Sequence, residues 1–321
     1  MEIINAIILG IIQGLTEFLP VSSSGHLEIA KAVLGEGKIA KESLLMTVVL
    51  HFATALSTII IFRKDILEIL NGFTLIIKNK SLLFVINLIG FLLLADILWM
   101  ITSLTFIPIT VFIIGIILLI KRGVSFTFKE ISNFKINESI KFSLKIVLSM
   151  IPAALVGVFF NDEIEALFGG ALTLVGCMLL FTGLLLFLAD KAKSSGKNVG
   201  IKESIIIGIS QAIAILPGIS RSGATISTSV LLGVDKEKSA RFSFLMVVPL
   251  IFGKMAKDIL SGEISTTDTN FLPLLVGFIF AFFTGMFACK WMIRLVKNSQ
   301  LKYFAYYCFA VGGIVIAFSI F

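Results

Sequence analysis

Several apolar segments of about 20 residues constrain the fold of this chain more than any other feature. They cover residues 43–62, 142–160, 166–189, 269–289 and 303–321, and residues 81–120 are long enough for two such segments. Only 15% of the residues are charged, whereas a soluble domain carries about 25%. Because a helix needs about 20 apolar residues to cross a bilayer, the sequence predicts an all-α, polytopic integral membrane protein.

The charged residues and the cysteines exclude several classes of function. The net charge is +7, but no basic run is interleaved with aromatic residues, so we expect no nucleic-acid partner. Basic residues occur in most of the loops between the apolar segments, so they do not indicate a membrane orientation. The three cysteines, Cys177, Cys289 and Cys308, are scattered through apolar segments. This pattern predicts buried, small hydrophobic side chains rather than a disulfide or a metal site.

Four further apolar segments are too short to cross a bilayer. They cover residues 3–16, 18–27, 204–220 and 222–234, and each one ends at or contains polar residues. Apolar stretches of about 10–14 residues are typical of re-entrant or broken helices. Such irregular backbone is tolerated at membrane depth only where protein or a water-filled cavity surrounds it.

The short segments are related to each other by a shift of 198 residues. Residues 7–13 then overlay residues 205–211, which pairs Gln13 with Gln211, and residues 22–25 overlay residues 220–223. This register predicts an internal duplication within a single membrane domain, residues 1–321. Repeat 1 covers about residues 1–121, intervening helices cover residues 122–200, and repeat 2 covers residues 201–321. Paired, interrupted segments are typical of inverted-topology repeats that meet at a central site.

Two polar stretches, residues 13–26 and 217–225, contain the groups that could perform chemistry. Glu17 and His26 are candidates for an acid/base pair, and the serines between them are candidate nucleophiles. Arg221 has a planar guanidinium that matches phosphate oxygens, although it could instead pair structurally with Glu17. If each stretch begins a helix, its N–H groups would face an anion. Small hydroxyl residues can also merely help membrane helices to pack.

These two stretches resemble the motifs of the bacitracin-resistance family of undecaprenyl pyrophosphate phosphatases. That family carries Glu/Gln-x-x-x-Glu followed by Pro-x-Ser-Ser-(Ser/Thr)-Gly-His, which residues 13–26 match. It also carries Pro-Gly-x-Ser-Arg-Ser-Gly-x-Thr, which residues 217–225 match. The resemblance covers essentially the whole chain. Gln13 stands where many members have Glu, which leaves Glu17 as the single carboxylate of the motif.

The resemblance implies a hydrolase of the bacterial inner (cytoplasmic) membrane that removes one phosphate from undecaprenyl (C55 polyprenyl) diphosphate. The product is the lipid carrier for peptidoglycan synthesis, and its recycling confers tolerance to bacitracin. The resemblance also implies inverted repeats with re-entrant helices, a site open to the outer side of the membrane, and assistance by a divalent cation, Mg²⁺ or Ca²⁺. The expected partners are the polyprenyl diphosphate and membrane lipids, and a homodimer and a monomer both stay open.

The candidate site combines the residue chemistry with the resemblance. The candidate catalytic residues are Glu17, Ser23, His26 and Arg221, and Glu17 is also the candidate metal ligand. The diphosphate-binding candidates are Ser22, Ser24, Gly25, Ser220, Ser222, Gly223 and Thr225. The candidate supporting residues around the site are Gln13, Gln211 and His51.

Three mechanisms stay open on the sequence. In the first, Ser23 attacks the terminal phosphorus while His26 and Glu17 handle protons. In the second, His26 is the nucleophile, and in the third Glu17 or His26 activates water. A function of another class is also open, because inverted repeats with broken helices are a transporter architecture. A lipid-phosphate or anion transporter is therefore the alternative hypothesis.

Overall fold

The computed structural model describes residues 3–34, 40–78, 137–160, 163, 172–192, 196–260 and 271–320. These residues form helices and their connections, with an isolated parallel bridge between Lys197 and Val234. The helices are α1 (Ile3–Phe18), α2 (Ser23–Leu34), α3 (Ala40–Ile61), α4 (Arg63–Lys78), α5 (Glu138–Phe159), α6 (Leu172–Lys191), α7 (Ile201–Ile213), α8 (Arg221–Leu231), α9 (Lys236–Leu260), α10 (Phe271–Lys297) and α11 (Leu301–Ile320).

The structure confirms the prediction of a multi-pass membrane protein. Four of the described helices, α5, α6, α10 and α11, are long and apolar enough to cross a bilayer. The chain bends by 87° between Leu45–Ile61 and Arg63–Leu75, so that α3 and α4 form a broken helix pair. Taken together, the two segments are also long and apolar enough to cross a bilayer. The two spans predicted within residues 81–120 lie outside the described residues.

The short apolar segments form two pairs of short helices. In the first pair α1 has 16 residues and α2 has 12, and in the second pair α7 has 13 and α8 has 11. At 1.5 Å per residue, even α1 reaches only about 24 Å, which is less than the roughly 30 Å of bilayer hydrocarbon. The prediction that these segments are too short to span is therefore confirmed.

Glycines bring the short helices close to the long ones. A Cβ on Gly10 of α1 would lie 2.6 Å from the carbonyl oxygen of Gly277 in α10. A Cβ on Gly208 of α7 would lie 2.5 Å from the carbonyl oxygen of Ser149 in α5. Small residues allow this backbone approach in membrane proteins. Gly10 and Gly208 occupy equivalent positions in the 198-residue register. In both α1 and α7, therefore, a glycine at this position allows the backbone of a long helix to approach closely.

The chain divides into two compact units. The first contains Met1–Ile66 and Lys145–Phe321, and the second contains Leu67–Leu144. In the first unit α6 packs against α11 and α8, α1 packs against α10, and α3 packs against α9 and α10. In the second unit the Ser143 hydroxyl donates to the Ile69 carbonyl at 2.9 Å. All the predicted site residues lie in the first unit.

The prediction for the cysteines is correct for two of the three. Cys289 and Cys308 are buried and carry free thiols, as expected. Cys177 is also free, but it is exposed, so the prediction that it is buried is wrong. An apolar span has one face that packs on protein and another that faces its surroundings, and the sequence of α6 is apolar on both. All three thiols are free in the structure.

Candidate active site

Both polar stretches begin a helix, and both helices have the same cap. The Ser22 hydroxyl accepts the N–H of Gly25 at 3.2 Å at the start of α2, and the Ser220 hydroxyl accepts the N–H of Gly223 at 3.1 Å at the start of α8. Ser22 has a φ of 71°, which is uncommon for a residue other than glycine. The prediction that each stretch starts a helix is confirmed, and each start presents N–H groups of the kind that bind anions.

The two helix starts lie against each other. The Ser222 hydroxyl donates to the Leu19 carbonyl at 3.5 Å, which connects the second stretch to the α1–α2 connection. A Cβ on Gly25 would lie 3.4 Å from the Cα atom of Gly218. Segments that are about 200 residues apart in sequence therefore form one site.

An ion pair between Glu17 and Arg221 joins the two stretches. The Arg221 guanidinium donates to Oε1 of Glu17. The Glu17 side chain is only 4% exposed, whereas the Arg221 side chain is 26% exposed. The sequence left open whether Arg221 pairs with Glu17 or holds a substrate anion, and the structure has the pair formed. About a quarter of the Arg221 side chain stays accessible beside this pair, and its role on a substrate anion stays a prediction.

The other carboxylate oxygen of Glu17 is also held. Ser23 donates its hydroxyl to Oε2 at 2.9 Å, and Gln13 donates its side-chain amide to the same oxygen at 3.0 Å. The Nε2 atom of His51 lies 3.9 Å from Oε2. Two hydrogen-bond donors, the Arg221 guanidinium and the His51 ring therefore surround this buried carboxylate. A serine hydroxyl within hydrogen-bond reach of a carboxylate is the geometry of a nucleophile and its base.

His26 is held by other groups than Glu17 in this structure. Its Nδ1 atom lies 2.8 Å from the carbonyl oxygen of Ser22, and its Nε2 atom lies 2.8 Å from the hydroxyl of Tyr307. The predicted acid/base residues Glu17 and His26 thus lie on either side of the Ser22–Ser24 turn, each with separate partners. Their roles stay predictions.

The second stretch is anchored by helices α6 and α9. Thr182 of α6 accepts the Ser220 N–H at 3.0 Å. Thr225 donates its hydroxyl to the Arg221 carbonyl at 2.8 Å and lies against Ser243 of α9. These contacts fix the backbone on both sides of Arg221, so the guanidinium projects from a rigid turn.

The two equivalent glutamines differ in their surroundings. Gln13 has its amide nitrogen on Glu17, while its carbonyl oxygen has no partner among the described residues. Neither polar atom of the Gln211 side chain has a partner in the described part of the chain, although Gln211 is buried. Of the two glutamines only Gln13 contacts Glu17 in the described part of the chain, and the supporting roles of Gln13, Gln211 and His51 stay predictions.

A cavity opens beside the ion pair. Its polar lining residues are Glu17, Thr54, Thr58, Arg221, Ser222 and Ser243, and its apolar lining residues are Phe18, Phe244, Val247 and Ile251. The cavity therefore combines charged, hydroxyl and hydrocarbon groups beside the ion pair.

Sequence reasoning missed several residues that build the site. Thr54 and Thr58 of α3 line the cavity, Thr182 holds the Ser220 turn, and Tyr307 holds His26. Their only signal in the sequence is a polar group within an apolar segment, which also occurs at ordinary helix contacts. Their function depends on which helices pack together.

The described residues contain no group of three or more His, Cys, Asp or Glu side chains that could hold a metal ion. Glu17 is the single carboxylate at the ion pair, and the unpartnered carbonyl oxygen of Gln13 is on the neighbouring turn of α1. This donor set fits a cation that takes most of its ligands from water and phosphate, as Mg²⁺ commonly does.

Comparison with known proteins yields a consistent set of similarities. The family model described as "Bacitracin resistance protein BacA" matches residues 6–140 and 114–314. A protein of Christiangramia forsetii named "Undecaprenyl-diphosphatase" is 54% identical over 319 residues, covering 99% of each chain. Proteins of the same name are similar in Bacteroides fragilis, with 41% identity and 99% of each chain covered, and in Methanobrevibacter smithii, with 37% identity over 100% of this chain and 99% of the relative.

Proposed function

Because the chain belongs to the bacitracin resistance protein BacA family, we propose that it is an undecaprenyl-diphosphatase. It hydrolyses undecaprenyl diphosphate to undecaprenyl phosphate and inorganic phosphate. This activity regenerates a lipid carrier and is consistent with tolerance to bacitracin. One structural observation supports the assignment most directly: Glu17 accepts the hydroxyl of Ser23 while it pairs with Arg221.

Diphosphate binding begins with an exchange of partners at Arg221. The Arg221 side chain is 26% exposed, and we infer that an entering phosphate accepts its N–H donors in place of Glu17. The N–H groups at the starts of α2 and α8, with the hydroxyls of Ser24 and Ser222, surround the remaining oxygens. The exchange moves the positive charge onto the substrate and leaves Glu17 as a free base next to Ser23.

The chemical step follows from the contact between Ser23 and Glu17. The Ser23 hydroxyl transfers its proton to Glu17 as its oxygen forms a bond to the terminal phosphorus. The bond between that phosphorus and the bridging oxygen breaks, and undecaprenyl phosphate leaves with the electron pair. Water then attacks the phosphoserine, and phosphate leaves as Ser23 recovers a proton. Arg221 stabilises the charge that develops on the phosphoryl oxygens.

His26 is the second group that handles protons in this mechanism. It follows Ser23 on the first turn of α2, so it lies close to the phosphoserine without needing a contact to Glu17. The rival in which His26 is the nucleophile requires its Nε2 atom to leave Tyr307. Trapping an acid-labile, base-stable phosphoenzyme would favour that rival over Ser23.

Oε1 of Glu17, together with the carbonyl oxygen of Gln13, would hold a divalent cation, Mg²⁺ or Ca²⁺, once Arg221 has moved to the substrate, while Oε2 stays the base for Ser23. A bound cation neutralises phosphate charge in phosphoryl transfer. The two residues supply only part of a coordination shell, so phosphate and water must complete it. We therefore expect cation affinity to be low without substrate and to rise when the diphosphate binds.

Apolar residues that line the cavity are the proposed contacts of the prenyl chain. Phe244, Val247 and Ile251 of α9 line the same cavity as Arg221. The first isoprene units would pack against these side chains while the diphosphate reaches the helix starts. This arrangement would favour a lipid diphosphate over a soluble one, because burial of the chain adds to the binding energy.

The larger architecture supports a duplicated site. The serine caps at Ser22 and Ser220, and the close approaches at Gly10 and Gly208, follow the same 198-residue register. We propose that α1–α2 and α7–α8 are re-entrant pairs in two inverted repeats, with their helix starts meeting inside the membrane. An opening toward the outer side of the inner membrane, and a homodimer, stay predictions from the family resemblance.

The test is phosphate release from undecaprenyl diphosphate by the purified protein in detergent, with and without a chelator. Wild type should release phosphate, addition of chelator should lower the rate, and Mg²⁺ or Ca²⁺ should restore it. Glu17→Ala should lose the activity. Unchanged turnover in Glu17→Ala would overturn the assignment of its role.

The same preparation separates the enzyme from the transporter alternative. Protein that releases no phosphate, yet moves lipid phosphate across liposomes, would be a transporter. Protein that releases phosphate in detergent is an enzyme whether or not it also moves lipid. Family membership and the names of the similar proteins favour the enzyme.

A further inference from the structure

Both ring nitrogens of His26 have a partner, and the partners differ in what they can do. Nδ1 lies 2.8 Å from the Ser22 carbonyl oxygen, which can only accept a hydrogen bond. Nδ1 must therefore carry a hydrogen. In the neutral ring Nε2 then has a free lone pair, and it accepts the hydroxyl hydrogen of Tyr307 at 2.8 Å.

Tyr307 reaches this position from the other end of the chain. It lies on α11, 281 residues after His26. The two rings are nearly parallel, with an interplanar angle of 14° and centroids 5.6 Å apart. The next residue, Cys308, donates its thiol to the Pro20 carbonyl at 3.7 Å. Two consecutive residues of α11 thus contact the α1–α2 connection and the first turn of α2.

The exposure of Tyr307 indicates which part of the side chain matters. Tyr307 is 44% exposed, so it fills no gap in the core. Its hydroxyl, by contrast, meets the ring nitrogen of His26 at hydrogen-bonding distance. Packing alone would not require a hydroxyl at this position, because a phenylalanine would present the same ring.

We propose that Tyr307 is a positioning residue that holds the His26 ring in the orientation in which Nε2 takes up a proton. The inference rests on the proposed function, in which His26 handles protons during hydrolysis. The Ser22 carbonyl keeps the hydrogen on Nδ1, and Tyr307 keeps the ring turned so that Nε2 is the nitrogen with the lone pair. When Nε2 gains a proton, the Tyr307 oxygen becomes the acceptor, so the contact persists in both states.

The kinetic test compares Tyr307→Phe with Tyr306→Phe. Tyr306 is on the same helix, is 54% exposed and contacts the ring of Phe187. Loss of one neutral hydrogen bond should lower the kcat of Tyr307→Phe about three- to tenfold with little change in KM. Tyr306→Phe should keep the wild-type kcat. A wild-type kcat in Tyr307→Phe would overturn the proposal.

A spectroscopic test does not depend on activity. The chain contains 2 histidines, so ¹⁵N-histidine labelling yields the ring signals of His26 and His51 alone, and His51→Gln assigns them. Tyr307→Phe should move the Nε2 resonance of His26 and leave the His51 signals in place, while Tyr306→Phe should change neither.

The combined outcomes separate the two proposals. An unmoved His26 resonance in Tyr307→Phe would overturn the contact, and a moved resonance with unchanged kcat would overturn the positioning role. Wild-type protein that releases no phosphate would overturn the proposed function, whereas the ¹⁵N comparison would still report on the contact itself.

Discussion

The ion pair between Glu17 and Arg221 predicts strong energetic coupling between the two halves of the site. The variants are Glu17→Gln, Arg221→Gln and the double variant. The carboxylate is 4% exposed and also accepts hydrogen bonds from Ser23 and Gln13, while Arg221 is 26% exposed. The consequences of losing each partner are therefore unequal.

The structure indicates the size of each effect. Removing one partner of a fully buried pair costs about 3–5 kcal/mol. In Arg221→Gln the carboxylate keeps two donors, so we expect a loss of about 2 kcal/mol in the free energy of unfolding. In Glu17→Gln the guanidinium can turn to water, and the loss should be about 1 kcal/mol. The double variant has no unpaired charge and should also lose only about 1 kcal/mol, which leaves a coupling of about 2 kcal/mol.

Unfolding in detergent mixed micelles, followed by circular dichroism for all four proteins, measures this coupling. Phosphate release measured on the same samples separates stability from chemistry. We expect all three variants to lose at least about 100-fold in kcat/KM, because the double variant regains stability but not the charges that act on substrate. Losses of stability that add within about 0.5 kcal/mol would refute the coupling. Retained kcat/KM in Arg221→Gln would refute its role on the phosphate.

Two further predictions concern the packing and the nucleophile. Gly10→Ala should lower the unfolding free energy by about 1–3 kcal/mol, because its Cβ would lie 2.6 Å from the Gly277 carbonyl oxygen. Gly313→Ala is the control, because its added Cβ would have no atom within 4 Å, and it should keep the wild-type unfolding free energy. Thermal unfolding measures both variants, and an equal loss of stability in the two would contradict the packing argument. Ser23→Ala should lose at least about 100-fold in kcat for phosphate release. The Ser210 hydroxyl donates to the Ile207 carbonyl of its own helix, so Ser210→Ala serves as the control and should keep the wild-type kcat. Near-normal turnover in Ser23→Ala would exclude the serine nucleophile.

The spanning helices could be predicted from sequence because the bilayer acts on local composition. A run of about 20 apolar residues is sufficient to form a span, whatever its neighbours are. The predicted segments at residues 142–160, 166–189, 269–289 and 303–321 correspond to α5, α6, α10 and α11. The sequence could not predict that Cys177 is exposed, because the faces of an entirely apolar helix look alike until the helix is packed.

The candidate site was partly predictable for a similar reason. Ser22 and Ser220 cap their helices through contacts three residues away, so a local motif is enough to predict them. The 198-residue register pairs these two serines, although their backbones differ, with a φ of 71° at Ser22 and −75° at Ser220. The pairing of Glu17 with Arg221 could not be predicted in this way, because it depends on how helices that are distant in sequence pack together.

The sequence by itself therefore determined a polytopic helical membrane protein with two polar helix starts, and identified the residues with useful chemistry. Tertiary structure alone decided that Arg221 pairs with Glu17, that Glu17 contacts Ser23 more directly than His26, and that His26 meets Tyr307. The physical reason is the distance along the sequence over which each interaction acts. Hydrophobicity and capping act over one or two helical turns, whereas these contacts join residues that are close only after the helices have packed together.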